Sequence, residues 1–143
     1  MSYDENNVFA RILRGELPSY KVYETEHVLV FMDVMPRSAG HMLVIPKAKA
    51  RNILDIGQGE LQHVFSAVQL MSRLAKEALG ADGVSIIQSN EGAGGQIVFH
   101  MHVHVIPRWN GIELKPHSGV MEDAEVLAST AERYREALSR LKG

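Results

Sequence analysis

Residues 96 to 107 read QIVFHMHVHVIP, which places His100, His102 and His104 at every second position of an otherwise apolar run. Alternation with a period of two belongs to extended chain, because successive side chains of a strand point to opposite faces. The segment therefore predicts a strand that turns Met101, Val103 and Val105 toward a core and the three imidazoles toward an open face. A helix would scatter the rings, since residues two apart lie about 200° apart in azimuth. Whatever the chain folds into must contain a sheet with one apolar face and one face that can serve a ligand.

The remaining elements suggest how such a sheet is built. NNVFARILRG has Val8, Phe9 and Ile12 at helical spacing and a glycine stop, which predicts a short helix over 7–14. KVYET, HVLVFMDV and HMLVIPK, beginning at 21, 27 and 41, are rich in β-branched and aromatic residues and predict three consecutive strands. From Glu60 to Leu79 the apolar residues Leu61, Val64, Phe65, Val68, Met71, Leu74 and Leu79 recur mostly at three or four, with Gly80 as the stop. That is the main helix. GVSIIQSN and the histidine segment supply two more strands. Glu122 to Leu141 returns to helix, with Leu127, Ala131, Tyr134, Leu138 and Leu141 in a narrow stripe that seeks a partner in the domain or on a second subunit.

Strands grouped early and late around one long helix, without repeated strand-helix-strand crossovers, predict an α+β domain on an antiparallel sheet. Helices should cover one face and leave the other for a ligand. At 143 residues the chain has about one domain's length. We read residues 1–112 as the catalytic region and 113–143 as a C-terminal extension of the same domain. A hydrophobic content of 45% and a formal charge of −2 offer no basic field for a nucleic-acid backbone. Cysteine is absent, which excludes disulfides and thiolate metal sites and fits a reducing compartment, with the cytoplasm as the expected location. No secretory signal is visible, and no window approaches the ~20 apolar residues that span a bilayer, so no membrane association is expected.

Imidazoles on one strand face sit roughly 6 to 7 Å apart per two-residue step, close enough for two to act on one small ligand. Three uses compete. The histidines could form an ordinary polar face. They could supply two ligands to a metal, with others from His41 or elsewhere. Or one could be a catalytic histidine acting on a phosphate, because neutral imidazole is a competent nucleophile and a flanking cationic one can protonate a leaving group. Phosphoryl transfer also needs donors for the phosphoryl oxygens. NEGAGGQ, residues 90–96, offers a glycine-rich loop just before the histidines, whose N–H groups can turn toward an anion. His27, His63 and His117 belong to no constellation.

The run His100-Met101-His102-Val103-His104-Val105-Ile106 resembles the signature of the histidine-triad family of nucleotide hydrolases and transferases. VFARILRGELPSYKVYE, FMDVMPRSAGHMLVIPK and SNEGAGGQIVFHMHVHV resemble it too, in order and spacing over roughly residues 7 to 108. The likeness is greatest to bacterial members and nucleoside phosphoramidases. It implies a five-stranded antiparallel sheet and a homodimer in which two such sheets join. It also implies that His102 attacks the α-phosphorus of a purine nucleotide carrying an AMP moiety, while His104 and Gln96 contact the phosphate. His100 would support the central ring and His41 would join the proton network. Asn90, Gly95, Gln96, Ile97 and Val98 would form the phosphate cradle. Asp33 would accept the ribose hydroxyls, and Phe9, Phe31 and Val34 would wall the base.

The implied reaction is hydrolysis of purine nucleoside 5′-phosphoramidates or adenylylated compounds through a covalent nucleotidyl-histidine, with no cofactor. Two alternatives stay open: a dinucleoside polyphosphate hydrolase, and a non-enzymatic metal-binding or nucleotide-sensing module. Two departures from the family matter. Where many bacterial members bind a structural zinc with two cysteines and a later histidine, this chain has Asn7, Ala10 and Lys49, so no zinc is expected. Where phosphoramidases carry a serine after the glutamine, this chain has Ile97.

Overall fold

The computed structural model describes residues 2–116 and 119–142; His117 lies outside them. In chain order the elements are α1 (Val8–Leu13), β1 (Lys21–Glu24), β2 (Val28–Met32), β3 (Met42–Pro46), α2 (Gln58–Leu79), β4 (Gly83–Ile87), a 3-10 turn (Gly92–Gly94), β5 (Val103–Arg108) and α3 (Ala124–Lys142). The strands form one antiparallel five-stranded sheet in the order β1-β2-β3-β5-β4. The α+β class, the five strands and the C-terminal helix all match the sequence-based expectation.

Local chemistry explains the helix limits. Asn7 caps α1 by accepting the N–H of Ala10 at 2.8 Å. Helix α2 starts two residues before the expected Glu60 and ends at Gly80, whose φ of +67° turns the chain out of the helix. Its apolar stripe is buried at Val64, Val68, Met71 and Leu74, whereas Phe65 stays exposed. The stripe of α3 finds its partner inside the chain: Leu127, Ala131, Tyr134, Ala137 and Leu138 join the core shared with α2 and the sheet.

Strand register sorts the two faces. Val30, Val44 and Val103 pair across β2, β3 and β5 and face α2 and α3, together with Met42, Met101 and Val105. The opposite face carries the row Phe31, Leu43, His104. This second face departs from the expected open surface. Phe9, Ile12 and Leu13 of α1 pack over Leu29, Phe31, Leu43 and Ile45, so only the end beside the histidines stays accessible. The histidine segment departs as well. Regular strand begins only at Val103, so His104 lies in β5 while His100 and His102 lie in the stretch leading into it. Continuing the β3–β5 register would set Pro46, which has no N–H for a ladder, opposite Met101, whose N–H bonds to the carbonyl of Ala50 instead. Met101, Val103 and Val105 are fully buried as expected and His102 and His104 are half-buried, but His100, expected on the open face, is fully buried as well, held by Pro46 and Tyr3.

Candidate active site

Each triad histidine has a partner that settles where its proton sits. Nε2 of His100 lies 2.8 Å from the carbonyl oxygen of Pro46, which can only accept, so Nε2 carries the hydrogen. The ring is fully buried, and burial pushes its pKa down to about 4 against the opposing pull of that hydrogen bond. His100 is therefore neutral near pH 7, and its Nδ1 accepts from the hydroxyl of Tyr3 at 2.6 Å. His102 holds Nδ1 2.6 Å from the carbonyl oxygen of His100, so that nitrogen donates and Nε2 of the neutral ring bears the lone pair. His41, also fully buried, accepts the N–H of Arg37 at Nδ1 (3.1 Å). Its Nε2–H is then given to Nδ1 of His104 at 2.8 Å. A neutral His104 must carry its own hydrogen on Nε2.

The rings of His102 and His104 meet edge-on with centroids 5.2 Å apart, and Phe9 stands 5.0 Å from His102 and 5.6 Å from Phe31. In front of them is a cavity of about 250 Å³. Its lining includes the apolar Phe9, Ile12, Phe31, Val34 and Leu43 together with Asp33, Arg37, Ser89, Gly95, Ile97, Val98, His102 and His104. The structure thus brings the expected wall residues, Asp33 and two of the triad rings to one space. His41, His100, Asn90 and Gln96 stand behind that lining. Asp33 accepts the N–H of Met35 at 2.9 Å through Oδ1 and keeps Oδ2 3.4 Å from Nε2 of His41.

The glycine loop is organised differently from a simple row of N–H donors. The N–H groups of Gly94, Gly95 and Gln96 bond back to carbonyls of Gly92 and Glu91. Among the described residues, the N–H groups of Ile97 and Val98, like those of Gly92 and Ala93, make no internal hydrogen bond; of these four residues, Ile97 and Val98 line the cavity. The Gln96 side chain is likewise occupied: its oxygen accepts from the N–H of Glu91 (2.8 Å) and from Asn52 (3.0 Å), while its NH₂ donates to the carbonyls of Arg51 (2.7 Å) and Val98 (3.0 Å). Asn90 accepts the N–H of Ile53 at 2.8 Å and exchanges hydrogen bonds with Gln88. Both amides hold the loop in shape. Glu91 sits at φ +65°, a costly conformation for a residue with a Cβ. It is held there by a bidentate pair with Arg51 at 2.8 and 3.0 Å, which also keeps its carboxyl below the usual range. Tyr3, Arg37, Arg51 and Asn52 carried no sequence signal for these roles, because each acts through a partner distant in the chain.

Asp33, His41 and His104 each bring a possible ligand atom within 4.8 Å of the others, so a metal must be considered. A ligating imidazole normally turns its second N–H toward an acceptor. His41 does the reverse, since its Nδ1 receives the N–H of Arg37 and its Nε2 carries a proton that a cation would have to displace. The donor set suits a proton relay better than a metal. At two of the positions where the resemblance would put zinc ligands, Asn7 caps α1 and Lys49 pairs with Glu5.

Comparison with known proteins agrees with this geometry. The HIT domain model matches residues 14–111. The protein named hit from Bacillus subtilis is 39% identical over 105 residues, covering 73% of this chain and 72% of its own length. The adenylylsulfatase HINT3 of Arabidopsis thaliana is 34% identical over 134 residues, covering 89% of this chain and 68% of that protein. The crystal structure of a Hit-like protein from Bartonella henselae superposes with a TM-score of 0.91 at 45% identity, covering 96% of this chain and 99% of that one. With the triad, the fold and these relatives in agreement, the chain belongs to the HIT family of nucleotide-binding hydrolases and transferases.

Proposed function

We propose that the protein hydrolyses purine nucleoside 5′-phosphoramidates or related adenylylated compounds through a nucleotidyl-His102 intermediate. The observation that carries this reading is the hydrogen bond from Nδ1 of His102 to the carbonyl of His100, which leaves the Nε2 lone pair for attack. In the first step Nε2 of His102 bonds to the α-phosphorus, the phosphorus–nitrogen bond breaks, and the departing amine nitrogen takes a proton by way of His104. In the second step water attacks the same phosphorus, the histidine–phosphorus bond breaks, and a proton from water restores the one given to the amine. The base lies against Phe9, Phe31 and Val34, and the ribose hydroxyls donate to Asp33. The N–H groups of Ile97 and Val98 receive the phosphoryl oxygens, with Gly95 shaping the turn before them. His41 keeps His104 in the tautomer that presents Nε2–H.

The substrate class draws support from the lining, where Arg37 is the one Lys or Arg side chain among the described residues. A long polyphosphate chain would call for more. The name of the Arabidopsis relative supports an adenylylated substrate with a sulfate leaving group as the second reading, and Arg37 in the lining suits that anion. Strand β4 ends the sheet and exposes Ile86, which supports a homodimer joined sheet to sheet at that edge. No helix among the described residues is long and apolar enough to cross a membrane. Residues 113–143 are taken as part of the catalytic domain, since α3 shares its core.

The test compares turnover of an adenosine phosphoramidate, adenylyl sulfate and a diadenosine polyphosphate by the wild type and His102→Ala, with and without chelator. The phosphoramidate should be cleaved fastest, indifferent to chelator, and at least a hundredfold more slowly by the variant. Turnover that survives in His102→Ala would remove the nucleophile, and loss of hydrolysis with chelator would restore the metal reading.

A further inference from the structure

Residues 2–7 lie as a strap behind the histidine segment, moored at several points. The carbonyl of Ser2 accepts from the Arg51 guanidinium at 3.1 Å, the carbonyl of Glu5 accepts from Arg14 at 2.7 Å, and the Glu5 carboxylate pairs with Lys49. Between these moorings the half-buried Tyr3 reaches His100, its hydroxyl 2.6 Å from Nδ1 and its ring edge-on at 5.6 Å.

We propose that Tyr3 is a positioning residue for His102, acting through His100 and through the main chain that joins them. This inference rests on His102 being the nucleophile. His100 is fully buried and makes one hydrogen bond from each ring nitrogen, to Pro46 on one edge and Tyr3 on the other. Two opposed hydrogen bonds leave the ring no freedom to rotate, and a fixed ring fixes its own peptide carbonyl. That carbonyl receives Nδ1–H of His102 at 2.6 Å and so decides which nitrogen of His102 carries the proton. Without the Tyr3 hydroxyl, Nδ1 of His100 becomes a buried acceptor with no partner, and the ring gains from turning to find one. The carbonyl moves with it, and His102 can then place its proton on Nε2, where attack is impossible. The same strap ties Arg51, the partner of Glu91 beneath the glycine loop, so triad and loop share one anchor.

The test is Tyr3→Phe in the full-length protein, read by the ¹⁵N–¹H correlation spectrum of the histidine side chains and by steady-state kinetics. The expected wild-type spectrum shows His102 as a single Nδ1–H tautomer. The variant should show His102 broadened or mixed, with kcat down on the order of tenfold, the worth of one neutral hydrogen bond, and KM within about twofold. Leu138→Ala, in the core on α3 far from this chain of contacts, serves as the stability control. It should lower the melting temperature at least as much and leave the tautomer and kcat unchanged. An unaltered His102 tautomer in Tyr3→Phe, or the same spectral change in Leu138→Ala, overturns the proposal. The spectra are taken without substrate, so they judge Tyr3 even if His102→Ala shows the proposed chemistry to be wrong.

Discussion

Replacing Tyr134 with phenylalanine removes one oxygen atom and should weaken both the fold and the site. Tyr134 lies fully buried on α3, where its hydroxyl donates to the carbonyl of Gly40 at 2.7 Å. Phenylalanine cannot replace that donor, and a buried carbonyl left unpaired costs roughly 1–3 kcal/mol. For a domain of this length the middle of that range lowers Tm by about 5–10 °C. Gly40 itself has φ +82°, and a Cβ there would stand 2.6 Å from the same hydroxyl and 2.4 Å from Cδ1 of Leu79. Gly40→Ala should therefore be destabilising too, and less so once the hydroxyl is gone. Urea and thermal melts of the wild type, both single variants and the double variant form a closed cycle. The double variant should be more stable than the sum of the two losses allows. Because the Gly40 carbonyl belongs to the peptide leading into His41, kcat of Tyr134→Phe should also fall several-fold. Losses that add within about 0.3–0.5 kcal/mol, with Tm unmoved in Tyr134→Phe, would refute the reasoning.

Two further outcomes are expected. His100 is neutral in the fold at a pKa of about 4 but titrates near 6.5 when unfolded, so below pH 6.5 the unfolded state binds the extra proton. Its contribution is fully present above pH 6.5 and is lost as pH falls toward 4, amounting to roughly 3 kcal/mol at about 1.4 kcal/mol per unit. Urea melts between pH 7 and 4.5 should show this slope in the wild type and a shallower one in His100→Asn, and equal slopes would contradict the assignment. Gln96→Leu should cost roughly 3 kcal/mol, because it strips partners from Glu91, Asn52, Arg51 and Val98 at once. It should also reduce kcat at least tenfold through the loosened loop, whereas turnover at the wild-type rate would show that the loop keeps its shape without that amide.

Much of the architecture could be read from local pattern. Apolar spacing marked α2 and α3 to within two residues, and β-branched runs marked the strands, because burial of one face imposes its period on the nearest neighbours. The histidine alternation correctly placed Met101, Val103 and Val105 in the core. The same pattern overstated the regular strand, since where pairing stops depends on residues distant in the chain, the N–H of Met101 bonding to Ala50 rather than to β3. It also left the second face open, whereas α1 folds over most of it. Nothing in the glycine loop indicated that its own N–H groups and the Gln96 amide would be turned inward.

The linear order of residues was enough to determine that an extended segment would bring three imidazoles beside a glycine turn, because side-chain direction in extended chain follows from backbone geometry alone. The proton positions that give those imidazoles different roles were decided only by tertiary structure. Tyr3 meets His100 across 97 positions, His41 meets His104 across 63, and Tyr134 meets Gly40 across 94. A hydrogen bond fixes a tautomer through the identity and direction of its partner, and partners so distant in the chain become neighbours only when the whole core has closed.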